Sequence, residues 1–389
     1  LQDFIARLAP GGYLAISRWI KLPPRDTLKL FATAVRALEA SGAQDPAARL
    51  VLIRSWQTST LLIKQGTFTP AEINAVRAFC KARAFDPAWY PGMPATEANR
   101  RNRLAEPYFY TAAKALTGPD AASFLENYKF DITPATDDRP YFFHFFKWRV
   151  LPEILALRGE GGLPLLEAGY LVLLATLLQA LLLSLVLILL PLAVLQRRGM
   201  AAATSASRGR IAGYFFAIGL AFLFIEIAFM QKFILFLHHP LYAVATVLAA
   251  FLVFAGLGSA WTARLQQDGA SAARATLYAV LLIALLGGAY TLLLDPLFAQ
   301  LNPLGMTARI AISALLIAPL AFCMGMPFPL GLAQVAARAP ELIPWAWGIN
   351  GCASVISAVS ATLLAMQAGF SIVVLAALLL YLLAARLFP

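Results

Sequence analysis

Long apolar stretches constrain this chain more than any other feature of its sequence. Seven stretches, each of about 20 residues or more, are apolar enough to cross a lipid bilayer. They are continuous, unlike the alternating ten-residue strands of a membrane β-barrel. Because lipid offers the backbone no hydrogen-bond partners, we expect a mainly α fold with a seven-helix transmembrane bundle. The stretches cover residues 165–195, 211–236, 240–263, 273–295, 308–334, 345–366 and 370–388.

Charged residues are concentrated in the part of the chain that precedes the first apolar stretch. Residues 1–163 hold 21 of the 31 Lys and Arg and 15 of the 20 Asp and Glu. This distribution predicts a water-facing part followed by a membrane part, residues 164–389, whose main partner is the lipid bilayer. Neither part is basic enough, or rich enough in basic runs, for a nucleic-acid partner to be expected. The three Cys and three His are too scattered to predict a disulfide framework or a metal site.

Residues 1–70 have the pattern that closes an α/β domain. A β-type run at residues 13–20 is followed by helical spacing of apolar residues at 25–41, and then by two more β-type runs at 50–56 and 60–64. A nucleotide cofactor in such folds is held by a Gly-rich turn after an early strand. Residues 1–70 contain no such turn, so we do not expect this chain alone to bind a nucleotide cofactor.

Residues 71–163 are predicted to form a helical connector at the membrane interface. The connector contains the sequence FDITPATDDRPYFFHFFKW, in which a run of aromatic residues follows Asp137, Asp138 and Arg139. One interpretation is a salt-bridged turn followed by an aromatic membrane anchor. The alternative is a motif whose paired carboxylates close over a substrate amine or a cofactor.

Glu226 is the most unusual residue of the membrane part. It lies about 15 residues into the stretch 211–236, where an acidic side chain costs about 2.5 kcal/mol or more to insert. We therefore expect it to face the interior of the bundle. Two roles remain open for it, a hydrogen bond between helices and a site for a proton or a polar substrate. The other polar residues assigned to this candidate site are Gln231, Lys232, His238 and Asn350.

Prolines and small residues predict two further features of the bundle. Pro319, Pro327 and Pro329 lack a backbone donor, so the fifth stretch should kink or break, and the freed carbonyls need partners inside the protein. Small residues predict close helix packing in the third and sixth stretches. They are Gly256, Gly258, Ser259 and Ala260, and Ala353, Ser357, Ala361 and Ala365.

Five motifs carry a family resemblance. They are PGGYLAISRW at 10–19, FDITPATDDRPYFF at 130–143, EIAFMQKFILFLHHPLYA at 226–243, MGMPFPLGL at 324–332 and WAWGINGCASV at 345–355. Together they resemble bacterial polytopic membrane proteins that carry a spermidine synthase-like domain, of the class I methyltransferase fold, between transmembrane segments. The resemblance implies a multi-pass protein of the bacterial inner membrane.

The resemblance also implies that this chain is the carboxyl-terminal part of a longer protein. Residues 1–70 would then close a Rossmann-like α/β domain that begins before Leu1. The implied cofactor of the parent protein is S-adenosylmethionine or decarboxylated S-adenosylmethionine. The catalytic carboxylate of spermidine synthases follows the fourth strand, which would lie before Leu1, so no catalytic residue is carried over to this chain.

Two functions are compatible with these features. The first, implied by the resemblance, is transfer of an aminopropyl or methyl group to an amine or to a lipid-associated substrate. The second is a membrane carrier or channel-like module for a polar or amine solute, with a vestigial or regulatory α/β part. Glu226 and the proline-broken fifth stretch favour the second function.

Overall fold

The computed structural model describes residues 1–156, 168–195, 205–267 and 270–389. Contacts within the chain divide it into two compact units, Leu1–Ala168 and Gly169–Pro389. The first unit combines strands and helices, whereas the described part of the second is helical. This division agrees with the water-facing and membrane parts that the distribution of charge predicts.

The first unit contains four strands and six α-helices within its described residues. They are α1 (Gln2–Ala6), β1 (Tyr13–Trp19), α2 (Asp26–Ala40), β2 (Leu50–Arg54), β3 (Thr58–Lys64), α3 (Pro70–Ala82), β4 (Asp86–Trp89), α4 (Tyr108–Leu116), α5 (Ala121–Asn127) and α6 (Leu151–Ala156). The helix predicted at residues 25–41 and the strands predicted at 13–20, 50–56 and 60–64 are thereby confirmed.

The four strands form one sheet in the order β1-β3-β2-β4. Each neighbouring pair is antiparallel, with Ser17 of β1 and Ile53 of β2 both opposite Thr60 of β3. Because β3 is antiparallel to both of its neighbours, β1 and β2 run in the same direction. The chain passes from β1 to β2 through α2, so these elements form a crossover unit closed by a hairpin.

Helices cover both faces of the sheet. Leu50 and Leu52 of β2 pack in the same cluster as Phe31 of α2. Val51 and Ile53 point to the opposite face, where their cluster includes Cys80 of α3. The predicted boundary between residues 70 and 71 is therefore not a boundary between compact units. Both faces of β2 are apolar and must be covered, and α3 from the predicted connector covers one of them.

The first turn of α3 is fixed to the sheet by Glu72. Glu72 and Thr69 form a capping box, in which each side chain accepts the other residue's backbone N–H. The Lys64 ammonium lies 2.7 Å from both carboxylate oxygens of Glu72, and the Tyr13 hydroxyl donates to the same carboxylate. Hydrogen bonds from Lys64, Tyr13 and Thr69 lower the pKa of Glu72 to about 2. The carboxylate thus joins α3 to β1 and β3.

The second unit is built from nine α-helices within its described residues. They are α7 (Ala168–Ser184), α8 (Leu190–Leu195), α9 (Ser205–Leu237), α10 (Pro240–Gln267), α11 (Ala272–Leu301), α12 (Met306–Met324), α13 (Pro327–Arg338), α14 (Ile343–Ala368) and α15 (Phe370–Arg386). A π-helical turn, Leu185–Leu189, connects α7 to α8.

Six helical segments of the described chain are long and apolar enough to cross a membrane. They are Gly169–Val194, Arg208–Leu237, Pro240–Gln267, Ala272–Leu301, Met306–Arg338 and Pro340–Ala368. These are the helices of a multi-pass integral membrane protein. The apolar helix α15 has 17 residues, or about 25 Å, which is shorter than the hydrocarbon core of about 30 Å. The count of seven spans therefore stays a prediction.

Helix α9 is the centre of the second unit and packs against α10, α14 and α15. Small residues let α14 approach it closely. A Cβ added to Gly219 would lie 2.9 Å from the Cβ of Ala353, and the Ser357 hydroxyl donates to the carbonyl of Leu220 at 2.9 Å. Ala353, Ser357 and Ala361 are completely buried. The close-packing face predicted for the sixth stretch is confirmed.

The fifth stretch is broken, as its prolines predict. Helix α12 ends at Met324 and α13 begins at Pro327, whereas Pro319 lies within α12. The hydroxyl of Tyr214, a completely buried residue of α9, donates to the carbonyl of Pro327 at 2.5 Å. This hydrogen bond joins the first turn of α13 to the central helix.

Gly258 and Gly256 of α10 provide a matched pair for testing the packing of α10 against α12. A Cβ on Gly258 would lie 1.9 Å from the carbonyl oxygen of Phe322, whereas a Cβ on Gly256 would meet no atom within 4 Å. We expect Gly258→Ala to destabilise the protein by about 3 kcal/mol or to prevent folding, because backbone must move. Gly256→Ala should change stability by about 1 kcal/mol or less.

Thermal unfolding of the purified protein in detergent, followed by size-exclusion chromatography, compares the two variants. Equal unfolding temperatures for Gly258→Ala and Gly256→Ala would contradict the close approach of α10 and α12.

Candidate functional site

A buried lysine of the first unit holds the predicted interfacial motif. Lys29 of α2 is only 2% exposed, and its ammonium donates to the backbone carbonyl of His144 at 2.8 Å. The carbonyls of Asp131 and Tyr141 lie 3.5 Å from the same nitrogen. One buried cation therefore contacts three backbone carbonyls of the segment 131–144. This holds the segment against the α/β core.

Asp131 closes the segment through an ion pair with Arg139. The Arg139 guanidinium donates to the Asp131 carboxylate, which also accepts the backbone N–H of Thr133 at 3.1 Å and its hydroxyl at 2.5 Å. Burial alone would raise the pKa of Asp131. The hydrogen bonds from Thr133 and the charges of Lys29 and Arg139 outweigh burial, so the pKa lies below its usual range. The carboxylate is therefore ionised at neutral pH.

The three motif residues that the sequence singles out are placed differently from one another. Asp137 is exposed, Asp138 is partly buried, and Arg139 pairs with Asp131 near the start of the segment. Sequence reasoning missed Asp131 as the partner of Arg139. The available signal was the Asp-x-Thr sequence at residues 131–133, which is typical of a carboxylate that accepts from the chain two residues on.

The aromatic run after the motif is divided between core and surface. Phe145 is 1% exposed and belongs to the cluster with α2, and Phe142 packs against that cluster. Phe143 and Trp148 are 60% and 54% exposed. Only part of the run is therefore available to a membrane, and the interfacial role of residues 71–163 stays a prediction.

His144 is buried in the same segment, with 4% of its surface exposed. Burial disfavours the imidazolium form; the nearby Asp131 carboxylate opposes this effect, while Lys29 and Arg139 add to it. Together these influences lower the pKa of His144 to about 4. The ring is therefore neutral at physiological pH and contributes no charge to the motif.

Glu226 lies on α9 and is 5% exposed, so it faces the interior of the second unit, as the sequence predicts. It follows Gly219 by seven residues, which places both on one face of the helix, and Gly219 abuts α14. Within the described residues, its carboxyl group makes no hydrogen bond or ion pair. One of the two predicted roles was a hydrogen bond from Glu226 to another helix. The described residues contain no such hydrogen bond.

Lys232, one turn and a half further along α9, has a carboxylate partner on α11. Its ammonium lies 2.9 Å from both oxygens of Asp295. The side chain of Asp295 is 63% exposed, whereas that of Lys232 is 13% exposed. Asp295 was not among the residues predicted for this site, although it is an acidic residue at the end of the fourth apolar stretch. Gln231, next to Lys232, is partly buried.

The remaining predicted residues connect helices at other points. His238 follows α9 and is exposed, and its Nε2 lies 3.0 Å from Oδ1 of Asn302. Asn350 of α14 donates to the carbonyl of Phe215 at 3.1 Å. Each of these contacts connects two helical segments of the unit.

A small pocket lies between α9, α11 and the start of α15. Lys232 lines it, together with apolar side chains such as Phe229 and Leu294. Tyr290 also lines it, but its hydroxyl donates to the carbonyl of Leu316 at 2.5 Å. Glu226 is not among the lining residues, so this pocket does not bring Glu226 and Lys232 together.

A metal centre is not formed by the described residues, since no three His, Cys, Asp or Glu side chains there form a group that could hold an ion. Comparison of the chain with protein-family models, with curated proteins and with solved structures gives no match. The assignment of a site therefore rests on the chemistry of Glu226 in the second unit and on the topology of the sheet in the first.

His144 gives a test of how the motif segment is buried. We expect the ring to remain neutral until about pH 4, below the value of about 6.5 for an unfolded chain. As pH falls, the unfolded chain binds this proton first. The contribution of His144 to stability is therefore complete above about pH 6.5 and is lost between about pH 6.5 and pH 4.

Histidine-selective NMR of the protein in detergent micelles measures this titration. The His144→Gln variant identifies the signal among the three histidines. A midpoint near pH 6.5 for that signal would show that the segment is not buried on the unit.

Proposed function

We propose that this chain is the carboxyl-terminal, membrane-embedded portion of a spermidine synthase-like transferase. The observation that carries the proposal is the strand order β1-β3-β2, in which the returning strand β3 lies between two strands of common direction. This arrangement is consistent with residues 1–70 closing an α/β domain, as the resemblance implies. The crossover through α2 and the helices on both faces of the sheet also support it.

The free edge of β1 supports the same proposal. Among the described strands, β1 pairs only with β3, which leaves its other edge without a neighbour. Further strands that run parallel to β1 would extend the sheet at that edge. In doubly wound sheets the cofactor lies beyond the carboxyl ends of such parallel strands. On this proposal, residues before Leu1 supply the cofactor turn and the catalytic carboxylate.

The reaction proposed is transfer of an aminopropyl or methyl group from decarboxylated S-adenosylmethionine or S-adenosylmethionine to an amine. The location proposed is the bacterial inner membrane. Asp137, exposed in the segment held by Lys29, is a carboxylate open to attract a cationic acceptor. Its role would be to position the acceptor, since catalysis of such transfers depends largely on orientation and a general base.

Binding of S-adenosylhomocysteine tests the proposal. The comparison uses this chain and the same chain extended by any residues that its gene encodes before Leu1. Isothermal titration calorimetry should detect binding to the extended chain and none to the 389-residue chain, because the nucleoside-holding turns are supplied upstream.

Binding by the 389-residue chain alone would refute the expectation that its cofactor site is incomplete. Failure of the extended chain to bind would remove the support for a transferase.

Glu226 favours a second function, a carrier for protons or cationic amines. A carboxyl group that is buried among membrane helices, with no hydrogen-bond partner among the described residues, is costly to keep, and such groups commonly mark ion or substrate pathways. A protonated amine or a proton would neutralise its charge. The break between α12 and α13 supports this second function, because interrupted helices often line cavities in transporters.

Glu226→Gln tests the second function, since the amide keeps the shape of the side chain but cannot bind a proton at neutral pH. We expect uptake of radiolabelled putrescine into proteoliposomes to fall by at least about tenfold, while insertion and thermal stability stay unchanged. Glu341→Gln is the matched control, because Glu341 lies in the short turn Pro340–Leu342, at the very start of the segment Pro340–Ala368, and not within α14. Equal uptake by wild type and Glu226→Gln would exclude the carrier function.

A further inference from the structure

The most exposed tryptophans of the first unit lie at one end of its sheet. Trp19 is the last residue of β1 and is 68% exposed, and Trp56, two residues after β2, is 63% exposed. Because β1 and β2 run in the same direction, both residues lie at the same end of the sheet. Leu22, in the loop that follows β1, is 47% exposed. We call Trp19, Leu22 and Trp56 the tryptophan patch.

Backbone pairing brings together the two segments that carry the tryptophans. Trp19 is opposite Thr58 in the pairing of β1 with β3. Beyond that pair, the backbone N–H of Ile20 donates to the carbonyl of Gln57 at 2.6 Å. Gln57 is the next residue after Trp56 in the turn between β2 and β3. The end of β1 and this turn are therefore in direct contact.

The loop that carries Leu22 is fixed at both ends. The hydrogen bond from Ile20 to Gln57 holds its start against the turn between β2 and β3. Near its end, the carbonyl of Pro24 accepts a hydrogen bond from the hydroxyl of Tyr128 at 2.5 Å. The patch is thus built on backbone that the rest of the unit holds in place.

Positive charge lies beside the patch. Residues 13–24 and 55–60, the two segments that carry it, contain Arg18 and Lys21 but no Asp or Glu. The Arg18 guanidinium lies 5.8 Å from the centre of the ring of Phe143, another exposed aromatic side chain. Exposed tryptophans and aliphatic side chains with cations beside them are typical of a surface that lies among lipid headgroups.

The second unit indicates which partner covers the patch. Its apolar helices keep the chain in a membrane, so the first unit is covalently tethered to a bilayer. Such a tether raises the effective concentration of the bilayer surface, and a small patch of weak affinity is then sufficient for docking. Exposed apolar patches commonly mark contacts with a protein or a membrane, and here the membrane is the surface that is always at hand.

We propose that the tryptophan patch docks the first unit on the bilayer surface, with Trp19, Leu22 and Trp56 among the lipid headgroups. The indole N–H groups donate to headgroup oxygens, while the rings lie at the boundary with the acyl chains. The inference goes beyond both proposed functions and depends on neither. On the transferase proposal, docking would place the carboxyl ends of β1 and β2 at the headgroup layer, next to amines carried by lipids.

Fluorescence quenching by nitroxide-labelled lipids tests the proposal on the 389-residue chain. The protein is placed in nanodiscs that hold one copy each, so a second copy cannot cover the patch. An environment-sensitive fluorophore is attached to Gln57→Cys, beside Trp56, or to the matched control Gln44→Cys. Both glutamines are exposed, and they lie before and after β2, at opposite ends of that strand. The native cysteines are buried, which directs labelling to the introduced thiol.

We expect nitroxides just below the headgroups to reduce the fluorescence at Gln57→Cys by about twofold or more. The fluorescence at Gln44→Cys should fall by about a tenth or less, because that end of the strand would be away from the bilayer. In the double variant Trp19→Ser/Trp56→Ser, quenching at Gln57→Cys should fall to the level of the control. The thermal stability of this variant should stay close to that of wild type, because both tryptophans are exposed.

Equal quenching at Gln57→Cys and Gln44→Cys would overturn the proposal. Quenching at Gln57→Cys that persists in Trp19→Ser/Trp56→Ser would also overturn it, since the tryptophans would then not be the anchor. The comparison of the two labelled sites leaves both tryptophans in place, so it remains decisive if the double variant fails to fold.

Discussion

The backbone of a protein in lipid must satisfy its own hydrogen bonds, and this requirement governs the second unit. Most of that unit meets it with continuous helices. Where a helix is interrupted, between α12 and α13, Tyr214 of the central helix donates to the carbonyl of Pro327. Polar side chains elsewhere serve carbonyl groups in the same way, as Ser357 does for Leu220 and Asn350 for Phe215. Helix α9 supplies a partner in each of these contacts and therefore organises the bundle.

In the first unit, buried cations satisfy the backbone carbonyls of irregular segments, which lack the regular hydrogen bonds of a helix or a sheet. Lys29 contacts three carbonyls of the segment 131–144, and Arg54 holds the loop that follows β4. Lys147, which is partly buried, acts in the same way, since its ammonium donates to the carbonyls of Leu125, Glu126 and Tyr128 at 2.8 to 3.0 Å. A cation with several donors can satisfy several carbonyl groups at once, which makes it suited to a segment that lacks regular partners.

The proposed chemistries occupy different parts of the chain. The transferase proposal depends on the sheet and its free edge at β1. The carrier proposal depends on one carboxyl group of α9 that is buried without a partner in the described chain. Because these features share no residue, each can be tested by substitutions that leave the other intact.

The sequence alone determined the nature of the two units, because hydropathy and charge act through composition and need no knowledge of contacts. It also predicted the strands around residues 13–20, 50–56 and 60–64, the break in the fifth stretch and the burial of Glu226. Each of these depends on local periodicity, on proline chemistry or on the cost of a charge in lipid. These properties depend on the local sequence and not on which distant residues come into contact.

Only the tertiary structure decided which residues meet. It paired Lys232 with Asp295, 63 positions away, and Arg139 with Asp131, and it placed Lys29 against carbonyls more than 100 residues distant. It also joined α3 and β4 to the sheet, although their sequence reads as a separate polar connector. Partners of this kind depend on how the elements pack, and one sequence without its fold contains no signal of the distances between them.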